Sequence, residues 1–392
     1  MKNFEKFTVF CHFLENPTVF LRKTFYFSFF HTYSIIKIMY NREYSELPEK
    51  LIIDGKPQFG TYKSSPQKLD IKYVKDPFNT LPLPSFFTNL RIRANITYTL
   101  NTEEFVGSVM FFDSKIFCYI EIILWEKTTK KKYSYRTFFG FKRLVPKNLE
   151  KATCGNFRKN RYIKITWDKS KEKFTLVFNA KGDEARPSFA ATFKRNGTLL
   201  GELTSIVPSP TKRRCTASYC NFFPISASLT KIATKHQDFV ETKYQNQGLC
   251  FFDIRRAYYK LRTKETFLIG IGFINEKPFA FRLATSNHDA IDKDTYNENL
   301  LFIDNETTLL PPVTITQPFG VSKKWIIQDT ENMIDLTFYP ISDNKRIASI
   351  FILRTEYHTI YGSFEGDLSS KDGTIYHIKD LQGIGSKCSL RM

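Results

Sequence analysis

From about residue 90 to the C-terminus, apolar side chains recur at every second position, in short runs broken by turn residues. A period of two suits a pleated strand with one face on a core, whereas helices need a period near 3.6, which is scarcely present. Tyr162 to Asp168 puts Ile163, Ile165 and Trp167 on one face, and Phe174, Leu176 and Phe178 return after a charged loop. This spacing predicts a hairpin. The same reasoning predicts two strands over 188–204 about Asn196-Gly197, a dipeptide that tolerates the positive φ of a tight turn. Further hairpins are expected across Asn275–Pro278, Asp329–Asn332 and Lys371–Gly373. Successive hairpins without intervening helices argue against a parallel α/β sheet and for antiparallel sandwiches or barrels. The expected fold class is therefore all-β, with two consecutive antiparallel β modules, as barrels or sandwiches, and few short helices.

With 392 residues the chain is long enough for two such modules. Its 39 Phe reinforce the β reading, because aromatics fill a half-buried pleated surface well. The least regular stretch is 205–248, with Pro208, Pro210, the basic 211–214 and a polar run from Lys235 to Gly248. The expected domains are thus a first module over 40–210 with an N-terminal wrap, a linker over 211–248, and a second module over 249–392. Residues 1–38 are acid-poor and Phe-rich and read as an extension, presequence-like or preceding a true start at Met39. Arg22, Lys23, His31 and Lys37 interrupt their apolar runs before a membrane-spanning length is reached.

Charge separates the two parts. Residues 1–240 hold 40 Lys and Arg against 20 Asp and Glu, and residues 241–392 hold 18 against 19, so the excess lies wholly in the first part. Such a field suits nucleic acid or an anionic membrane surface as partner, and the aromatic residues Tyr133, Tyr135, Phe157 and Tyr162 lie among the basic ones. Lysine guarding an open sheet edge gives the same pattern and is the simpler account. Seven cysteines without a CxxC pair suit reduced thiols, hence an intracellular, cytoplasmic setting.

Several islands in the second half carry a family resemblance. They are Asp253-Ile-Arg-Arg-Ala-Tyr-Tyr259, Gly270-Ile-Gly-Phe-Ile-Asn275, Asn297-Glu-Asn-Leu-Leu-Phe-Ile-Asp304, Trp325 to Asp329 with Ile334 to Pro340, and Tyr361-Gly-Ser-Phe-Glu-Gly366 with Asp372-Gly373. In this order they resemble the domain-of-unknown-function 2804 family, and Arg42-Glu43, Leu51 to Gly55 and Phe59 to Tyr62 resemble its opening. Ala257 and Tyr259 replace a Gly and a Trp, and Ser386 stands where an acid is common. The resemblance implies lipocalin-like or calycin-like β modules and brings no established reaction.

Asp253 and Arg255 share a strand face, so they are expected to present an ion pair to a cavity or to close a sheet end. Asp253 and Glu298 are the candidate acid–base residues. Arg255, Arg256, Tyr258, Asn287, Asn299 and Trp325 are the candidate ligand contacts, although Trp125, Trp167 and Trp325 each lie in an alternating apolar run that suits a core. Gly270 and Gly272 fall inside a strand, where glycine marks a bulge or a close backbone approach rather than a dinucleotide loop. His236 and His288 lie near loops, and neither they nor Cys215 and Cys220 have the spacing of a metal site; no metal or cofactor is implied.

Three functions are compatible with these features. One is a protein holding a small apolar or lipid-like ligand in a β cavity, the leading reading; another is a hydratase- or isomerase-like enzyme using an acidic residue there. The third is an RNA- or anionic-surface-associated protein acting through its basic module. A cavity of Phe and Tyr without a buried carboxylate favours the first over the second.

Overall fold

The computed structural model describes residues 40–78, 83–115, 117–140, 143–210, 213–235, 238–350 and 353–391; residues 1–39 and His236 lie outside that range. In chain order the first part gives β1 (Ile52–Ile53), β2 (Lys56–Pro57), β3 (Gly60–Tyr62), helix α1 (Ser85–Leu90), β4 (Ile92–Thr102), β5 (Phe105–Asp113), β6 (Cys118–Glu126) and β7 (Lys132–Phe139). It continues with β8 (Lys151–Arg158), β9 (Arg161–Asp168), β10 (Lys173–Ala180), β11 (Ser188–Arg195), β12 (Gly201–Pro208), β13 (Cys215–Lys235) and β14 (Asp238–Tyr258). The second part gives β15 (Arg262–Ile274), β16 (Lys277–Ser286), β17 (Leu300–Ile303), β18 (Glu306–Leu309), β19 (Thr314–Thr316), β20 (Trp325–Gln328), β21 (Ile334–Ile350), β22 (Leu353–Ser369) and β23 (Ile375–Arg391).

These strands make two large antiparallel sheets, each curled into a half-barrel. The first runs β7-β6-β5-β4-β14-β13-β11-β10-β9-β8, with β12 and then β3 on a further stretch of β13; the second runs β18-β17-β16-β15-β23-β22-β21-β20-β19. The all-β expectation holds. Each sheet closes over its own core, where Trp167 packs with Phe174 and Phe252 in the first and Trp325 with Phe338 in the second.

Two local expectations are corrected. Asn196-Gly197 does make a turn, with Gly197 at φ +102°, but β11 and β12 do not pair with each other. Both instead pair with β13, which is long enough to take β12 along Cys215–Phe222 and β11 along Ile225–Ile232. The predicted linker 211–248 likewise contains most of β13 and the start of β14, paired continuously from Thr216–Ala257 to Lys235–Asp238. The polar run reads as loop because the other edge of β14 is unpaired until Gly248 meets Thr102, so its exposed side chains have no core to fill. The hairpins expected at 162–178, 266–285, 324–339 and 357–381 are all present.

The chain before β4 ties the two sheets together. Arg42 donates to the carbonyls of Asn297 and Asn299, both at 2.9 Å, while Leu51, Leu69, Ile71 and Val74 fill the first core. A third apolar cluster joins the sheets directly: Leu203, Phe222 and Phe251 from the first meet Ile269, Ile271 and Phe302 from the second. Phe222 and Phe302 stack with centroids 6.1 Å apart. Each such buried Phe is worth about 1.5–3 kcal/mol relative to exposure.

Candidate functional site

Alternation on β4 to β6 sends Ile96, Tyr98, Leu100, Ile120, Ile122 and Leu124 into the first core. The intervening residues face the second sheet, and between the sheets lies a cavity of about 270 Å³. Register orders its walls. Arg136, Glu121, Met110, Thr97 and Asp253 are successive partners across β7, β6, β5, β4 and β14. Opposite them, Arg346, Tyr357, Cys388 and Glu265 are successive partners across β21, β22, β23 and β15. Phe112, Phe117, Phe138, Phe267, Ile269, Ile347 and Ile384 supply much of the apolar lining.

Ion pairs join the walls at both sides of the cavity. On one, Glu121, 1% exposed, accepts from Arg136 at 2.6 Å and also pairs with Arg346, with Asn344 donating to it at 3.2 Å. On the other, Arg282 Nη1 is 2.6 Å from Asp253, and Arg255 is 2.9 Å from Glu265 and 3.3 Å from Glu298. Tyr259 donates to Glu265 at 3.2 Å. Here three carboxyls, Asp253, Glu265 and Glu298, share two guanidiniums. Buried charge is tolerated only when paired, so the odd carboxyl is the one under strain.

Their surroundings shift Asp253 and Glu298 in opposite directions. Burial pushes the Asp253 carboxyl up; Arg282 opposes this, Glu298 reinforces it, and the net direction is upward. Burial acts upward on Glu298 too, but Arg255 and Arg282 overcome it and hold that carboxyl below its ordinary range. Cys388 and Tyr259 are pushed up by burial and stay protonated. Asp253 is thus the carboxyl of the three that burial shifts upward, on the wall of a largely apolar cavity with the Arg282 guanidinium 2.6 Å away.

Asp253 and Arg255 do share the cavity face, yet each is paired across the sheets rather than with the other. Glu298 lies behind Arg255 and Arg282, lining a smaller pocket with Arg255, His288, Asn297 and Asn299. The remaining candidates sit elsewhere. Arg256 faces the other way and donates to the Val145 and Pro146 carbonyls, and Tyr258 lies in the first core with its hydroxyl on Ile71. Asn287 is exposed and ties the ends of β15 and β16 through Arg262 and Lys264. Asn299 is buried between Ala284 and Pro311, and Trp325 donates to Val321 within the second core.

Sequence reasoning did not single out Glu121, Arg136, Glu265, Arg282 or Arg346. Glu121 is an acid flanked by Ile120, Ile122 and Ile123 in a strand, and Arg282 is a cation inside Phe279 to Leu283, so a charge interrupting an apolar strand was the available signal. Among the described residues no group of His, Cys, Asp and Glu could hold a metal ion, and no helix is long and apolar enough to cross a membrane. The six described cysteines are buried and form no disulfide.

Comparison with solved structures finds similarity to an AttH candidate from Nitrosomonas europaea, with a TM-score of 0.47 and 11% identity over 80% of this chain and 98% of that one. Kievitone hydratase from Nectria haematococca gives 0.46 and 13% over 76% and 88%, and CghA with Sch210972 gives 0.43 and 10% over 77% and 88%. No curated protein matches the sequence. The model of the domain of unknown function DUF2804 matches residues 42–391, nearly all of the two-sheet body, and the chain belongs to that family.

Proposed function

We propose that this protein holds a small, largely apolar molecule between its sheets and exchanges a proton with it through Asp253, in a reaction of the hydratase or isomerase kind. The observation that carries this is the buried Asp253 carboxyl, raised above its ordinary range on the wall of an aromatic cavity. In its acid form such a carboxyl can protonate a double bond, and the carboxylate it leaves can take a proton back, either from the neighbouring carbon or from the water that adds to the cation. Arg282 at 2.6 Å stabilises the charge at that moment.

Native protein should release a small molecule detectable by mass spectrometry. With that compound as substrate, Asp253→Asn should keep binding and fold while turnover falls by about two to four orders of magnitude. Because the acid form is required, kcat/KM should fall as pH rises through the raised pKa. Wild-type turnover in the variant refutes the acid–base role. A purely binding protein is the second reading, favoured by the Asp253–Arg282 pair as a structural tie between sheets; it predicts that the molecule is recovered unchanged.

A further inference from the structure

The side of the cavity away from Asp253 carries the opposite charge imbalance. Arg136 and Arg346 converge there on the single carboxylate of Glu121, leaving one positive charge beside an apolar space. Nearby, Lys345 pairs with Glu356, and His358 lies between Asp343 and Glu356, so these groups pair among themselves. They do not neutralise the cavity end.

The Arg346 guanidinium is also incompletely used. Arg346 has a side chain only 10% exposed and donates to Thr359 Oγ1 at 2.5 Å, but its buried Nε has no hydrogen-bond partner. The Thr99 hydroxyl on the cavity wall is likewise buried without one. Orphaned polar groups of this kind are costly unless something arrives to satisfy them. Three strand spacings separate Glu121 from Asp253 along their row, about 14 Å at the usual strand separation. An elongated molecule can therefore reach both.

Building on the cavity reading above, we propose that the ligand is an amphipathic monoanion whose carboxylate head sits on Arg346 and Arg136 while its apolar body runs past Met110 and Tyr357 towards Asp253. A planar guanidinium matches a carboxylate in charge and fork geometry, and one unbalanced positive charge calls for one negative. Cation and tail site face each other across the same row of paired residues, so head placement also fixes which part of the body meets Asp253.

Displacement of the neutral dye N-phenyl-1-naphthylamine from the full chain, at neutral pH and fixed salt, tests this with decanoate, 1-decanol and decylammonium. Decanoate should displace the dye about tenfold better than 1-decanol, and decylammonium should be the weakest, a comparison that needs no variant. Arg346→Gln and the more exposed Arg136→Gln should each shrink the decanoate advantage while leaving 1-decanol unchanged. Equal affinity for all three, or an advantage untouched by both substitutions, overturns the head-group assignment and leaves the cavity reading standing. If none of the three displaces the dye, the cavity reading falls and takes this one with it.

Discussion

Arg282 shows how much a single buried side chain can decide. Its side chain is 2% exposed, and besides Asp253 it donates to the Glu298 carbonyl at 2.9 Å. Arg282→Met should cost about 3–5 kcal/mol, because it leaves Asp253 buried without its cation, while Glu298 keeps Arg255. Adding Asp253→Asn should return part of that loss, which urea unfolding of the single and double variants will measure as a non-additive cycle. His288 is a second buried group with a defined sign. Burial, reinforced by Arg255, Lys260 and Arg214, lowers it to about 3, and its Nε2 lies 2.7 Å from Thr263 Oγ1. A base depressed in the folded state contributes stability above its unfolded pKa and loses it as pH falls towards the folded one. Wild-type protein should therefore lose stability between about pH 6.5 and 3, and His288→Gln should flatten that slope in unfolding titrations.

Elements obey constraints that single residues do not reveal. Gly270 sits in the middle of β15, where an added Cβ would come within 2.3 Å of the Phe281 ring, itself wedged against Phe364 at 4.9 Å. Gly270→Ala should destabilise by about 1–3 kcal/mol through overpacking. Gly140→Ala should be near neutral, since nothing lies within 4 Å there; paired thermal melts compare the two. Glycine inside a strand led to the expectation of a bulge or a close backbone approach; the register with β16 runs unbroken, and what fills the space is the ring of the cross-strand partner. Charge also follows elements. β7 and β8 end the first sheet, and the basic residues at Lys130 to Lys132 and Arg158-Lys159 lie on or beside them. Lysine on an unpaired edge discourages addition of a foreign strand.

At the scale of the molecule, the apolar clusters between the sheets decide whether the halves behave separately. Trp125 packs on Tyr361 at the inter-sheet contact, while Trp167 and Trp325 lie in the separate cores. Together with the Phe222–Phe302 stack, these contacts should couple the two sheets into one unfolding unit. Variants retaining only Trp167 or only Trp325 should give coincident fluorescence transitions in urea. Two separate midpoints would show that each sheet stands alone.

The sequence by itself determined the class of structure and most hairpins, because period-two patterning and turn residues act over a few neighbours and need no knowledge of distant strands. It also made Asp253 and Arg255 neighbours on one face, since alternation alone does that. Only the tertiary structure decided that Asp253 pairs with Arg282 and Arg255 with Glu265. It likewise decided that β11 and β12 share β13, and that a polar stretch is strand rather than linker. Partner choice across sheets depends on register accumulated over many strands, and a sheet face that alternation marks as polar reads the same whether water or another sheet covers it. Glu121, Arg136 and Arg346 are the clearest instance: three unremarkable charges in sequence become one end of a cavity when two curved sheets close on each other.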